Sequence, residues 1–445
     1  MNDLVRQVLH SVSGKAIFIA ALILALLIPV KMIEGVVDER AWSMAAAVDD
    51  IAGAWGGDQI IGGPILVVPF RYTTMRGGVS ASVRDELYVL PTELAYTGDV
   101  TTEIRYRGIY EVPVYTAQLT ITGTLPAVNV ELDYDDVAID WEHVTLVLPI
   151  SDARSVRQAV ELVVEDVTAD FEPGGTPVAG FGQQLSVPYA ALGLDRLDVD
   201  RAFSFELTLS GLGGLGFLPL GDTTSVELSS AWPSPSFAGA YLPESREVSD
   251  AGFSASWNVL HLGRGYPSRW YRSLYSPHSI ESSAFGVDLI VPAGVYQSSA
   301  RAAKYAILFI GLSFLIYFVF ELSTEIRLHP LQYLLVGLAN CMFYLLLLAV
   351  SEHTGFAIAY FLSAVASTAL VAAYSSAVLG VRDRVVPVVV ALATMYIYLF
   401  VTLRAENYAL LSGTFILFVV LAFFMFATRR VDWYALDGTD AASID

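Results

Sequence analysis

"AIFIAALILALLIPV", residues 16–30, is an unbroken apolar run with Arg6 and Lys15 before it and Lys31 after it. A basic start followed by an apolar core also describes a cleaved export signal. The nearest small-residue cleavage site, around Ala45, lies far past the apolar core, beyond Asp38, Glu39 and Arg40. That distance favours an anchor that is kept. It extends to about Ile33, because the stem of Lys31 lies along apolar surface while its ammonium reaches water. The chain is then a membrane protein, and the remaining residues must be divided between lipid and water.

Hydrophobic residues make up 55% of the 445, and the mean hydropathy is +0.55, too apolar for an ordinary water-soluble chain. Beyond the anchor, the apolar residues collect in five runs at about 305–322, 331–350, 356–380, 385–403 and 408–427. At 1.5 Å rise per residue, each is long enough to cross a hydrocarbon core of ~30 Å. The connectors "STEIRLHP", "SEHTG", "RDR" and "RAEN" are short and polar. The expectation is six transmembrane α-helices, one before and five after a large extracytoplasmic domain. Its parts are a cytoplasmic segment plus first span (1–33), the domain (34–304), a five-helix bundle (305–427) and an acidic tail (428–445).

Orientation follows from the bias of Lys and Arg toward the cytoplasmic side. With the N-terminus inside, the cytoplasmic segments hold Arg6, Lys15, Arg327, Arg382, Arg384, Arg429 and Arg430, and the short outer loops hold only Arg404. Both termini are expected in the cytoplasm and the large domain outside.

Residues 34–304 carry 35 Asp+Glu against 16 Lys+Arg, a formal −19 of the chain's −20. Such a surface argues against nucleic acid and anionic headgroups as partners. Cys341 is the single cysteine and lies in an apolar run, so no intrachain disulfide supports the domain. Trp42, Ala45, Val48, Ala52 and Trp55 recur at helical spacing, which predicts a helix over 41–55 continuing from the anchor and ended by Gly56–Gly57. Thereafter "GPILVVPFRY", "DELYVLP", "YTAQLTITGTL", "HVTLVLPI", "FSFELTLSG" and "TTSVELSSAW" alternate at period two between Gly and Pro punctuation. This predicts a mostly antiparallel sandwich or barrel, and "FEPGGTPVAG" (171–180) offers a boundary between two lobes.

Catalytic motifs are few. "GLGGLG" (211–216) fits the dinucleotide fingerprint and follows a strand, but "FLPLGDTTSVELS" after it is strand-like and not the required helix, so a glycine-rich turn is expected. The six histidines form no HExxH or close pair, and there is no GxSxG elbow or Walker lysine. No catalytic, cofactor or metal residue is assigned.

Polar residues near the spans carry the remaining interest, since charge at bilayer depth is costly and usually functional. Glu321 and Glu352 fall on opposite sides of the membrane and cannot share one metal. Asn340 sits mid-span, where a lone amide usually serves as interhelical glue. Glu352 and His353 lie in one short outer loop, and Arg404 and Glu406 in the next. If their helices are neighbours, these four groups meet as a polar cluster at the outer face. Three readings stay open for it: a structural clasp or solvated turn, a partner contact, or metal or proton chemistry. Ala359, Ser363 and Ser367 recur every four residues, so the fourth span is expected to pack centrally through that face.

The stretches "RAAKYAILFIGLSFLIYFVFE", "HPLQYLLVGLANCMFYLLLLAVSEHTGFAIAY", "LLSG" and "TRRVDWY" near the C-terminus resemble the CreD family of bacterial inner-membrane proteins, which implies a periplasmic place for the large domain. "IPVKMIEGVVDER", "QIIGGPILVVPF", "RGIYEVPVYTAQL" and "AWPSPSFAGAYLPESREVSDAGFSASW" carry the resemblance through the first half and the domain. Where the resemblance leads to a His between the prolines of the last stretch, this chain has Ser234, which argues against a ligand role there. The resemblance implies a role in cell-envelope integrity, colicin tolerance and β-lactam stress, with expression tied to a two-component system. It implies no reaction and no cofactor. The leading expectation is a non-enzymatic envelope protein whose partners are the bilayer and other envelope proteins or the cell wall. A transporter or channel comes second, and a membrane-embedded enzyme acting on lipid or wall precursors third. The sequence sets no oligomeric state.

Overall fold

The computed structural model describes residues 12–76, 79–128, 135–174, 178, 183–193, 198–274, 280–289, 294–323, 328–379, 382–404 and 409–429. They form two compact units: a helical one from residues 1–44 and 293–445, and a β-rich one from 45–292. Seven α-helices occur among the described residues. They are α1 (Val12–Trp55), α2 (Val295–Lys304), α3 (Ala306–Ser323), α4 (Pro330–Thr354), α5 (Phe356–Leu379), α6 (Arg382–Arg404) and α7 (Ala409–Thr428).

The anchor and the 41–55 helix are one continuous element, α1, which ends where Gly56 takes φ 108°, a conformation open to glycine. Four helices, α1, α4, α5 and α6, are long and apolar enough to cross a membrane, and α2 with α3 makes a fifth if that pair, bent by 45°, is one span. The apolar stretch Gly413–Phe426 of α7 is shorter. Among the described residues, four or five helices therefore meet the length criterion, where six spans were expected.

The centre of the helical unit also differs from expectation. The apolar window of α4 is 56% buried, against 28% for the corresponding window of α5. The reason is Gly337 of α4, where an added Cβ would lie 2.2 Å from Leu26 Cδ1 and 2.8 Å from Phe314 Cζ. A missing side chain lets α1 and α3 close on α4 together. Beyond Gly337, the Phe343 ring meets that of Tyr396 at a tilt and that of Tyr360 edge-on, with centroids 4.6 and 5.3 Å away, joining α4 to α6 and α5. The start of α4 is built by "HPLQ": Pro330 opens the helix, and the His329 ring accepts a hydrogen bond from Leu331 N while Gln332 Oε1 accepts one from His329 N.

In the β unit, two sheets enclose one hydrophobic core. One runs in the order Pro235–Gly239, Phe285–Leu289, Gly214–Phe217, Gln59–Ile61, Thr145–Ile150, Ile65–Arg76, Val79–Val89, Arg269–Tyr271. The other runs Ser245–Ser249, Gly252–Leu260, Thr223–Ser230, Glu93–Arg107, Tyr110–Leu125, Arg201–Gly211, Glu161–Val164, Val167–Asp170. Alternation drives the assembly: Phe203, Phe205, Leu207 and Leu209 of one strand all enter the core. Most pairings are antiparallel, as the alternation leads one to expect. Two are parallel, Gln59–Ile61 with Gly214–Phe217 and Thr223–Ser230 with Glu93–Arg107, so the sheets are mixed. The residues of "GLGGLG" end one strand, turn at Gly213 (φ 83°) and begin the next, and no helix follows.

Two arginine arrangements hold the unit's joints. The guanidinium groups of Arg105 and Arg157 lie 4.1 and 4.3 Å from the centroid of the Trp55 ring, and Arg157 also donates to Trp55 O. Arg264, 3% exposed, donates to the carbonyls of Pro219, Leu220 and Gly221 and to the Asp222 carboxylate. Burial holds its pKa below the ordinary arginine value, opposed by Tyr266 and Asp222. The charge is tolerated because these partners occupy its donors.

Candidate functional site

Glu352 closes the last turn of α4 with its side chain 11% exposed. Its Oε1 accepts a hydrogen bond from Tyr296 Oη of α2 at 3.1 Å and lies 3.6 Å from Arg40 Nε of α1. His353, the next residue, points outward and is exposed. Arg404, the last residue of α6, rests its guanidinium 5.2 Å from the Phe400 ring centroid. Glu406 lies outside the described residues. The arginine beside Glu352 is Arg40 of α1, and the contact described for Arg404 is with Phe400 of its own helix. The sequence offered no local signal for this, since Arg40 and Glu352 are more than 300 positions apart.

Glu321 has a matching arrangement toward the other end of the bundle. It is ion-paired with Lys15 of α1, and it accepts from Tyr333 Oη of α4 and Leu328 N, each at 3.2 Å. Each carboxylate therefore binds a base of α1 and a tyrosine hydroxyl. From Lys15 to Arg40 a helix rises ~38 Å, roughly the hydrocarbon core plus its margins. The two pairs fix α1 to the bundle at both ends of that length.

Between them the interior is mostly apolar. Ala359, Ser363 and Ser367 are 0%, 1% and 2% exposed, whereas Leu362 is 48% exposed. Asn340 Nδ2, Tyr344 Oη and Ser363 Oγ are buried without a hydrogen-bond partner among the described residues. An apolar groove of about 520 Å³ between α5 and α6 is walled by Tyr360, Ala364, Thr368, Ala393, Tyr396 and Phe400. No group of three or more His, Cys, Asp or Glu side chains converges on a metal-sized space among the described residues.

The β unit holds a larger, polar cleft of about 740 Å³, lined by Arg71, Arg84, Arg272, His143 and the carboxylates Asp85, Glu86 and Asp140. The acids are engaged. Glu86 accepts from Arg272 Nη1 at 3.0 Å and from Tyr88 Oη at 2.6 Å. Asp85 accepts from the backbone N–H groups of Glu86 and Ser273 and from the Ser273 hydroxyl. Asp140 is bonded to His143 Nδ1 at 2.9 Å, and this contact, helped by Arg71 and Arg84, holds its carboxyl below the ordinary range. Sequence reading missed this cleft, although one signal was available. Arg71 and Arg84 are equidistant from Gly77–Gly78, a dipeptide typical of hairpin turns, and that symmetry predicts that they face each other.

A bundle of apolar helices joined to a large mixed β unit defines an integral membrane protein with several membrane-spanning helices. The family model described as Inner membrane protein CreD matches residues 11–434. Over 419 residues the chain is 35% identical to the Inner membrane protein CreD of Escherichia coli (strain K12), covering 93% of this chain and 92% of that one. The chain belongs to the CreD family of inner-membrane proteins.

Proposed function

We propose that this protein supports cell-envelope integrity under stress as a binding protein rather than an enzyme, with its β unit in the periplasm as the working part. The observation that carries this reading is the use of both bundle carboxylates, Glu321 and Glu352, in ion pairs to α1. The costly charges of the helical unit serve to hold the anchor, and the open charged cleft lies in the β unit. In the accompanying topology the membrane is crossed six times, with α2–α3 as one span and α7 as the last. Both termini and the acidic tail lie in the cytoplasm. Other envelope proteins or the wall are the partners.

Reporter fusions test the topology: those after residues 327, 383 and 430 should read cytoplasmic, and those after 250, 354 and 405 exported. A cytoplasmic signal at 250 overturns the scheme. In a strain lacking its own CreD-family protein, the wild type should restore growth under β-lactam stress. Failure to restore it, with the protein present in the membrane, overturns the envelope role.

A transport function is the second reading, favoured by the unpaired Asn340, Tyr344 and Ser363 groups inside the helical unit. Water or a small polar solute beside them would satisfy those donors and acceptors.

A further inference from the structure

Arg71 and Arg84 are direct cross-strand partners in the hairpin Ile65–Arg76 and Val79–Val89. Opposed residues have Cβ atoms about 4.5–5.5 Å apart, and like charges so placed destabilise a sheet. Asp140 attracts both guanidinium groups through space, but no carboxylate is hydrogen-bonded to either among the described residues. The nearest carboxylate to Arg71 is Asp140, with Nη2 to Oδ2 at 3.9 Å, and Asp140 is already bonded to His143. Glu86, on the same strand face as Arg84, has both oxygens occupied by Arg272 and Tyr88. Arg84 acts on Asp140 through space and has no hydrogen bond or ion pair among the described residues. Arg272 has an outer nitrogen to spare beyond its bond to Glu86 and is 59% exposed.

Engaged carboxylates thus share the cleft with guanidinium groups that keep donors to spare, in a unit that is otherwise strongly acidic. A planar guanidinium presents paired N–H groups that match the oxygens of a carboxylate or phosphate. The cleft, at about 740 Å³, falls within the range of small-ligand pockets. We infer that the cleft binds an oxyanion, the carboxylate or phosphate group of a ligand, through Arg71 and Arg84, with Arg272 as a third donor. The acidic field of the whole unit repels anions at long range, so the grip is a contact interaction rather than steering. The inference rests on the cleft alone, whichever side of the membrane the unit faces.

Thermal unfolding of the full chain in detergent, followed by tryptophan fluorescence, tests it. Sodium phosphate and sodium citrate are each compared with sodium chloride at matched ionic strength. An anion at about ten times its Kd should raise Tm by roughly 3–6 °C in the wild type. Arg84→Gln should melt no lower than the wild type in chloride, because it removes the like-charge contact, and should lose the rise. Arg84→Lys, which keeps charge but not the fork, should keep less than half of it. A response to phosphate alone supports a phosphoryl ligand, and one to citrate alone a polycarboxylate. No response to either anion, an equal rise in Arg84→Gln, or an equal rise in chloride overturns the site.

Discussion

The ion pair between Lys15 and Glu321 joins α1 to the bundle, and a double-mutant cycle can measure its worth. The side chains are 20% and 9% exposed, so both groups have given up most of their hydration. Two unit charges roughly 3 Å apart attract by about 5 kcal/mol at an effective dielectric of about 20. Desolvation offsets more than half of this, leaving a coupling of about 2 kcal/mol. Lys15→Met alone strands the Glu321 carboxylate, which keeps only Tyr333 Oη and Leu328 N as donors. Glu321→Gln alone strands the ammonium. Each single change is expected to cost about 3 kcal/mol, and the double change about 4. Unfolding of the full chain in mixed micelles, driven by a denaturing detergent and followed by circular dichroism, gives all four stabilities. A coupling below about 0.5 kcal/mol would refute the reasoning, because the pair would then behave as an exposed surface contact.

Three further outcomes are expected. Arg264→Leu strands the carbonyls of Pro219, Leu220 and Gly221 together and should lower the stability of the β unit by about 4 kcal/mol, with Arg264→Lys recovering only part; calorimetry reads both. Ser367→Leu overpacks a site that is 2% exposed and should cost about 1–3 kcal/mol, while Ala366→Leu on the exposed face of α5 should cost little; equal losses in detergent unfolding would deny the small-residue face its packing role. Burial, and then the Asp58 carboxylate, raise Asp288 above the ordinary carboxylate range. The folded form then holds that proton more tightly, so the contribution of Asp288 to stability is fully present below the usual aspartate pKa and is lost as pH rises through its own. Asp288→Asn should flatten this part of the Tm–pH curve, and an unchanged curve would contradict the assignment.

The envelope of the fold was legible in the sequence because its signals are local. A run such as residues 16–30 has no stable place in water, and period-two alternation such as "FSFELTLSG" buries one face of a strand whatever the partner. "HPLQ" and Gly56 mark helix ends through backbone chemistry of their own, and "GLGGLG" is a turn because strand residues follow it. Tertiary structure decided what depends on distant pairs. It made α4 the centre through one missing side chain at Gly337, where small residues recurring every four positions along α5 suggested otherwise. It gave Glu352 an arginine from α1, and it set two parallel pairings among antiparallel ones. Each of these brings in a residue more than a hundred positions away. Period and propensity describe what a segment does with its own faces, whereas the choice of partner comes from packing and charge summed over the whole chain.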